Sequence, residues 1–200
     1  MLKKIFTFFR NLEIKKEENL EELNGAYFHE DLFRQVEFIP RENINFIENE
    51  NNKIHQFSKG NFDGNGFTDI YVREESENQI TLIEKKLNLV EIDSMLINLG
   101  MNKIENVYYL YGSTKTKCET TIAYNFKRAQ IFMVYENEIV KDLFVDGFRF
   151  NQNEADKANL KIILNNIGVK FKLILNDWDL TEIIDLENQN EIEKYLNEGF

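Results

Sequence analysis

Oxygen-bearing side chains at alternate positions make Asn61-Phe62-Asp63-Gly64-Asn65-Gly66-Phe67-Thr68-Asp69 the segment best suited to hold a cation. A hard ion such as calcium needs several converging oxygens on a backbone turned by flexible glycines, and Asp63, Asn65 and Asp69 offer them. Asn61 stands where an acid is usual, and the bidentate glutamate spacing of an EF-hand loop is missing. Glycine and asparagine are equally what a tight structural turn demands, so both readings stand. His29-Glu30-Asp31 sets an imidazole beside two carboxylates, a pattern for metal ligation or proton transfer. No second histidine lies near it, His55 is isolated, and the same trio serves as a helix cap or surface cluster. Cys118, with no base or oxyanion donor marked nearby, reads as a structural thiol at the start of a strand. Neither G-x-x-x-x-G-K-S/T nor G-x-G-x-x-G occurs, which removes the usual signals of nucleotide and dinucleotide chemistry. Carboxylates are so abundant that a glycosidase-like pair carries no information, leaving a carboxylate-dependent hydrolase as a third reading. No catalytic residue, metal ligand or cofactor is assigned.

The charge balance points toward binding. The chain carries 35 Asp and Glu against 24 Lys and Arg, a net charge of -11. Such a field repels phosphate, and the basic residues are scattered, so nucleic acid is disfavoured as a direct ligand. A basic protein partner is favoured, because the field steers its approach and complements its patch. With 42% hydrophobic residues, 17 Phe and 8 Tyr, the sequence is too apolar for a disordered acidic tail. A single cysteine excludes an internal disulfide and fits a reducing, cytoplasmic setting. Met1 to Arg10 begins like a signal peptide, but its apolar run covers only Ile5 to Phe9 and no small-residue cleavage site follows. A terminal helix packed on the domain accounts for it, as does a membrane-surface helix with Ile5, Phe8 and Phe9 on one face. No stretch is long enough to predict stable membrane insertion.

The elements that must position these residues follow an α+β order. Glu17 to Gly25 predicts a short helix, so that residues 1–25 form a helical N-terminal extension of a single domain spanning 1–200. Tyr27 to Pro40 predicts a strand, Glu42 to Asn49 a helix after the lone proline, and Phe67 to Glu74 a strand through Ile70 and Val72. The second half of Thr81 to Leu99 predicts a helix ended by Gly100. Asn106 to Gly112, Glu119 to Phe126, Gln130 to Tyr135 and Ile139 to Val145 predict four strands in an antiparallel meander. Asn153 to Asn166 predicts a helix stopped near Gly168, Phe171 to Leu175 a strand, and Glu191 to Leu196 a closing helix. Strands in consecutive runs argue against a doubly wound parallel sheet and for a meander with flanking helices.

Asp177-Trp178-Asp179 holds the only tryptophan, set between two acids. An exposed ring among carboxylates is suited to anchor an arginine-rich surface, while burial of the ring, with the acids capping the next segment, is the alternative. Tyr27-Phe28-His29-Glu30-Asp31, followed by Gln35-Val36-Glu37-Phe38-Ile39-Pro40 and Glu42-Asn43, resembles a pattern in small bacterial proteins, some of them similar to immunity proteins. The resemblance covers Tyr27 to Asn43, and Phe62 to Glu74 is similar as well. It implies an acidic, non-enzymatic cytoplasmic protein that blocks a cognate nuclease or similar protein toxin by covering its active site or substrate surface, the toxin being basic by the charge argument above. Immunity proteins diverge with their toxins, so no binding residue is carried over. The acidic face expected from the residues themselves comprises Asp63, Asp69, Glu74, Asp177 and Asp179, with Trp178 as its aromatic anchor. The glycine loop also resembles the calcium loops of propeller-type repeats, which keeps a calcium-stabilised module as the rival reading.

Overall fold

The computed structural model describes residues 25–73, 79–149 and 153–198. The strands are β1 (Ala26–His29), β2 (Val36–Pro40), β3 (Asn102–Ile104), β4 (Val107–Tyr111), β5 (Thr114–Lys117), β6 (Thr121–Phe126), β7 (Ala129–Glu136), β8 (Ile139–Asp146), β9 (Leu173–Asp177) and β10 (Glu182–Ile184). The helices are α1 (Ile44–Gly60), α2 (Leu89–Asn98), α3 (Glu154–Phe171) and α4 (Gln189–Asn197). Asparagine caps three of them: the side chains of Asn88, Asn153 and Asn188 accept the backbone N–H of Glu91, Asp156 and Asn190. Each cap satisfies one of the amides that a helix start leaves without a partner.

Strand alternation builds the core around a seven-stranded sheet in the order β10-β9-β2-β8-β7-β6-β3. On one face, Phe38, Leu173, Leu175, Met133, Leu143 and Val145 join Ile92 and Leu96 of α2, Leu160 and Ile163 of α3 and Tyr195 of α4 in one cluster. The opposite face is covered in two halves. Over β9 and β2, α1 packs Ile47 against Ile39, Ile174 and Trp178. Over β6 to β8, a small sheet in the order β1-β4-β5 sets Phe28, Val107 and Tyr109 on Ala123, Phe132 and Phe144. Phe28 meets Phe132 and Phe144 edge-on at 5.2 Å, a geometry that aromatic quadrupoles favour. The protein is thus a single-domain α+β fold with largely antiparallel sheets, β1 and β4 being paired in parallel. No helix among the described residues is long and apolar enough to cross a membrane.

The β6-β7-β8 meander matches the expectation, with its neighbour β4 diverted to the small sheet. Three expectations require correction. Tyr27 to Pro40 is not one strand but two, β1 and β2, in different sheets. Between them a 3-10 turn over Glu30–Leu32 and a left-handed Arg34 redirect the chain. Phe67 to Glu74 is not a strand over its described part, Phe67 to Arg73. Ile70 and Val72 are 83% and 57% exposed, so the alternation has no face to bury. Gly168 does not stop α3, which runs on to Phe171 before Lys172 turns left-handed. The Glu17 to Gly25 helix and the Met1 to Arg10 segment lie outside the described residues, apart from Gly25.

Gly168 has a different role. A Cβ placed there overlaps Leu186, so the missing side chain lets α3 approach the segment after β10. Gly168→Ala is expected to destabilise the protein by about 1–3 kcal/mol through overpacking, despite alanine's better helix propensity. Chemical denaturation compares the two chains, and an equal or higher midpoint for the variant refutes the close contact.

Candidate functional site

The last turn of α1 hands the chain to a tightly hydrogen-bonded loop. Asn61 closes the helix with its backbone N–H on Phe57 O at 3.0 Å and its side-chain amide on the same carbonyl at 2.9 Å. Asp63 Oδ1 then accepts the amides of Asn65 and Gly66 at 2.8 and 3.0 Å, an Asx turn around the left-handed Gly64. Thr68 returns to Asn61 O through both its backbone N–H and its hydroxyl. The rings of Phe62 and Phe67, whose residues form an isolated bridge, stand 5.5 Å apart. The two amides hold the Asp63 carboxyl below its ordinary value. One Asp63 oxygen is therefore engaged in making the turn.

What this loop presents is unusual for a surface segment. Phe62, Phe67, Ile70 and Val72 are 54%, 67%, 83% and 57% exposed, and the exposed carboxylates of Asp63 and Asp69 lie among them. Grouped exposed apolar side chains bordered by polar groups mark interaction surfaces, whereas scattered ones mean little.

Behind Ile70 the chain is anchored to the core. The Tyr71 ring packs edge-on against Phe57 of α1 at 5.3 Å, and its hydroxyl donates to Glu50 Oε2 at 3.3 Å. Lys53 Nζ reaches the other Glu50 oxygen at 2.6 Å. Arg73 lies over the Trp178 ring at 4.2 Å and pairs with Glu37 at 3.5 Å. Trp178 Nε1 donates to Glu37 Oε1 at 2.8 Å, and Arg34 Nε donates to Glu37 Oε2 at 2.5 Å. Burial pulls the Arg73 guanidinium below the ordinary arginine value, opposed by the attraction of Glu37 and, more weakly, of Asp179 and Glu50. Asn51 of α1 donates to Asn176 of β9 at 2.9 Å.

The structure sorts the residues expected from the sequence into three groups. Asp63 and Asp69 stand on the exposed loop as expected, and Asp179 is exposed near Arg73, accepting from Gln35 Nε2 at 2.6 Å. Burial, then the neighbouring Asp177 charge, raise the Asp179 carboxyl above its ordinary value. Trp178 is 8% exposed, so it underlies the loop instead of forming an exposed anchor. Asp177, 1% exposed, points to the other face of the sheet, where it accepts from Tyr195 Oη at 3.2 Å and Arg149 at 3.4 Å. Successive strand residues face opposite ways, which separates two neighbours that the sequence suggested would act together. Glu74 lies outside the described residues.

The anchors Glu37, Glu50, Tyr71 and Arg73 were not foreseen. The signal for Glu37 was the run Val36-Glu37-Phe38-Ile39, in which both alternating rows contain an apolar residue and Glu37 shares a row with Ile39. The ligand atoms of His29, Glu30 and Asp31 lie within 4.8 Å of one another. His29 Nδ1 accepts the Asp31 amide at 3.5 Å, which makes it the N-cap of the 3-10 turn. Cys118 is buried and burial pushes its thiol up to about 11, the opposite of nucleophile activation. No family model, curated protein or solved structure matches the chain.

Trp178→Phe removes a hydrogen bond to a buried carboxylate and weakens the stack under Arg73. It is expected to cost about 2–4 kcal/mol in denaturant unfolding and to speed hydrogen exchange at the Asn65, Gly66 and Thr68 amides. Unchanged exchange at those amides contradicts the anchoring role. Because the folded-state Asp63 carboxyl titrates low, its contribution to the turn is full above the ordinary carboxylate range and is lost as pH falls through its own value. Carboxyl-carbon NMR should give Asp63 a midpoint below about 3.9. A midpoint at or above that value means the Asx turn is not formed in solution.

Proposed function

We propose that this chain is an immunity-type protein that binds a cognate, basic bacterial toxin in the cytoplasm and covers its active site or substrate surface. The observation that carries the reading is the 61–72 loop, held by hydrogen bonds and core anchors while it displays four large apolar side chains and two carboxylates. Apolar anchors in a polar setting are the composition of an interface hot spot, and a loop already ordered before binding loses little entropy on docking. The net charge of -11 makes a basic partner the complementary one, with carboxylates taking the place of substrate phosphates. The lone, buried Cys118 is in keeping with a reducing compartment. No catalytic role is assigned, since the buried carboxylates Glu37, Glu50 and Asp177 are each engaged by donors.

The test uses the product of the adjacent gene as the candidate partner, with affinity measured at low and high salt. Asp63→Asn with Asp69→Asn keeps an acceptor oxygen for the Asx turn and for the Ile70 amide, which donates to Asp69 Oδ1 at 2.8 Å, and removes two charges. It is expected to slow association roughly 10-fold at low salt and to flatten the salt dependence. Phe67→Ala is expected to speed dissociation by at least about 10-fold. If both variants bind and protect cells as the parent does, the loop is not the docking surface.

A further inference from the structure

The glycine loop contains a side chain placed to react with its own backbone. In an Asn-Gly pair such as Asn65-Gly66 the glycine nitrogen attacks the asparagine amide with least hindrance, because no side chain stands in its way. Asn65 is exposed, and its side-chain amide has no hydrogen bond among the described residues. A Cβ placed on Gly66 meets nothing within 4 Å, so the space beside the attacking nitrogen is open. That nitrogen is also the one whose N–H donates to Asp63 Oδ1 at 3.0 Å, next to the Asn65 N–H at 2.8 Å. The preceding Asp63-Gly64 pair is less open to the same reaction. Its carboxyl, held below the ordinary value by those two amides, stays ionised, and a carboxylate resists attack by a nitrogen.

We infer that Asn65 is a site of spontaneous deamidation, and that the Asp63 carboxylate holds the reaction back while the loop is folded. The Gly66 nitrogen must give up its proton and bond to Asn65 Cγ. The Cγ–Nδ2 bond then breaks, ammonia leaves with the proton, and a cyclic imide remains. Water opens the imide at either carbonyl, giving aspartate or its β-linked isomer. The sum is asparagine plus water to acid plus ammonia, and nothing is oxidised or reduced. Asp63 acts on the first step: a hydrogen bond to an anion favours the protonated amide, and the adjacent charge opposes formation of an amide anion. The product sets a third carboxylate beside Asp63 and Asp69, and its β-linked form lengthens the backbone between the two amides that Asp63 holds. The reaction therefore undoes the turn that restrained it. Its chemistry is the same whether or not the loop docks a partner.

Peptide mapping by mass spectrometry of the full chain, incubated at mildly alkaline pH, tests both parts. It measures conversion at Asn65 separately from Asn24-Gly25, the other Asn-Gly pair of the chain. Asp63→Ala is expected to speed conversion by at least about 10-fold over the folded parent, as is unfolding the parent in urea. Asp63→Ser, whose hydroxyl keeps a weaker turn without the charge, should fall between parent and Asp63→Ala. Thr68→Val removes the hydroxyl bond to Asn61 O but leaves Asp63 in place, so its rate should stay close to that of the parent. Gly66→Ala has room and needs no left-handed backbone, and in urea, where folding plays no part, it should slow conversion by at least about 10-fold. An Asn65 that remains an amide both in urea and in Asp63→Ala overturns the site. A folded parent that converts as fast as its urea-unfolded form, or a Thr68→Val chain as fast as Asp63→Ala, overturns the restraint by Asp63.

Discussion

A carboxylate in the middle of a sheet that is covered on both faces must be met by donors, and Glu37 is that carboxylate. Stripped of water, it costs several kcal/mol unless its oxygens are satisfied. The donors come from three distant parts of the chain: Arg34 in the turn before β2, Trp178 at the end of β9, and Arg73 beyond the glycine loop. The first two tie the strand pair β2 and β9 at one end. The third fixes where the loop ends. Glu50 repeats the device one layer out, binding Tyr71 from the loop and Lys53 from its own helix. A surface feature is thereby given a definite position by the needs of buried charge.

The seven-stranded sheet also separates two kinds of chemistry. The side covered by α1 carries the acidic loop and the charged anchors. The side covered by α2, α3 and α4 is joined by apolar packing, with Asp177, Arg149 and Tyr195 as a local polar cluster at one end. Residues adjacent in sequence serve different sides, as Asp177 and Trp178 do. Function on one side is therefore open to change with little disturbance of the other, because the two share backbone and not side chains.

Much of this arrangement was legible in the sequence where pattern and local chemistry agree. The meander strands alternate cleanly, and asparagine caps precede α2, α3 and α4. The loop was legible as a turn because Asp63, Gly64 and Asn65 specify one. Pattern failed where tertiary context decides. Phe67 to Arg73 alternates like a strand, but exposure of Ile70 and Val72 shows that alternation without a partner face is only spacing. Tyr27 to Pro40 contains two strands because Arg34 adopts a left-handed backbone that a non-glycine residue does not announce. Glu37 was hidden because periodicity assigns a charge in a strand to water, and only the second covering layer places it inside. Gly168 was taken for a helix end when its meaning was the proximity of Leu186.

The ends of the sheets have a consequence for behaviour in a crowded cell. The larger sheet finishes in β10 and β3, three residues each, and the small one in β1, four residues long, and in β5, a Thr-Lys-Thr-Lys strand. A free strand edge is a template on which another chain can add, and its risk grows with length and apolar character. Strands of three or four residues offer few consecutive hydrogen-bonding groups, and Lys115 and Lys117 charge the β5 edge. Among the described residues, the sheets thus leave little free backbone as a template for fibrous growth.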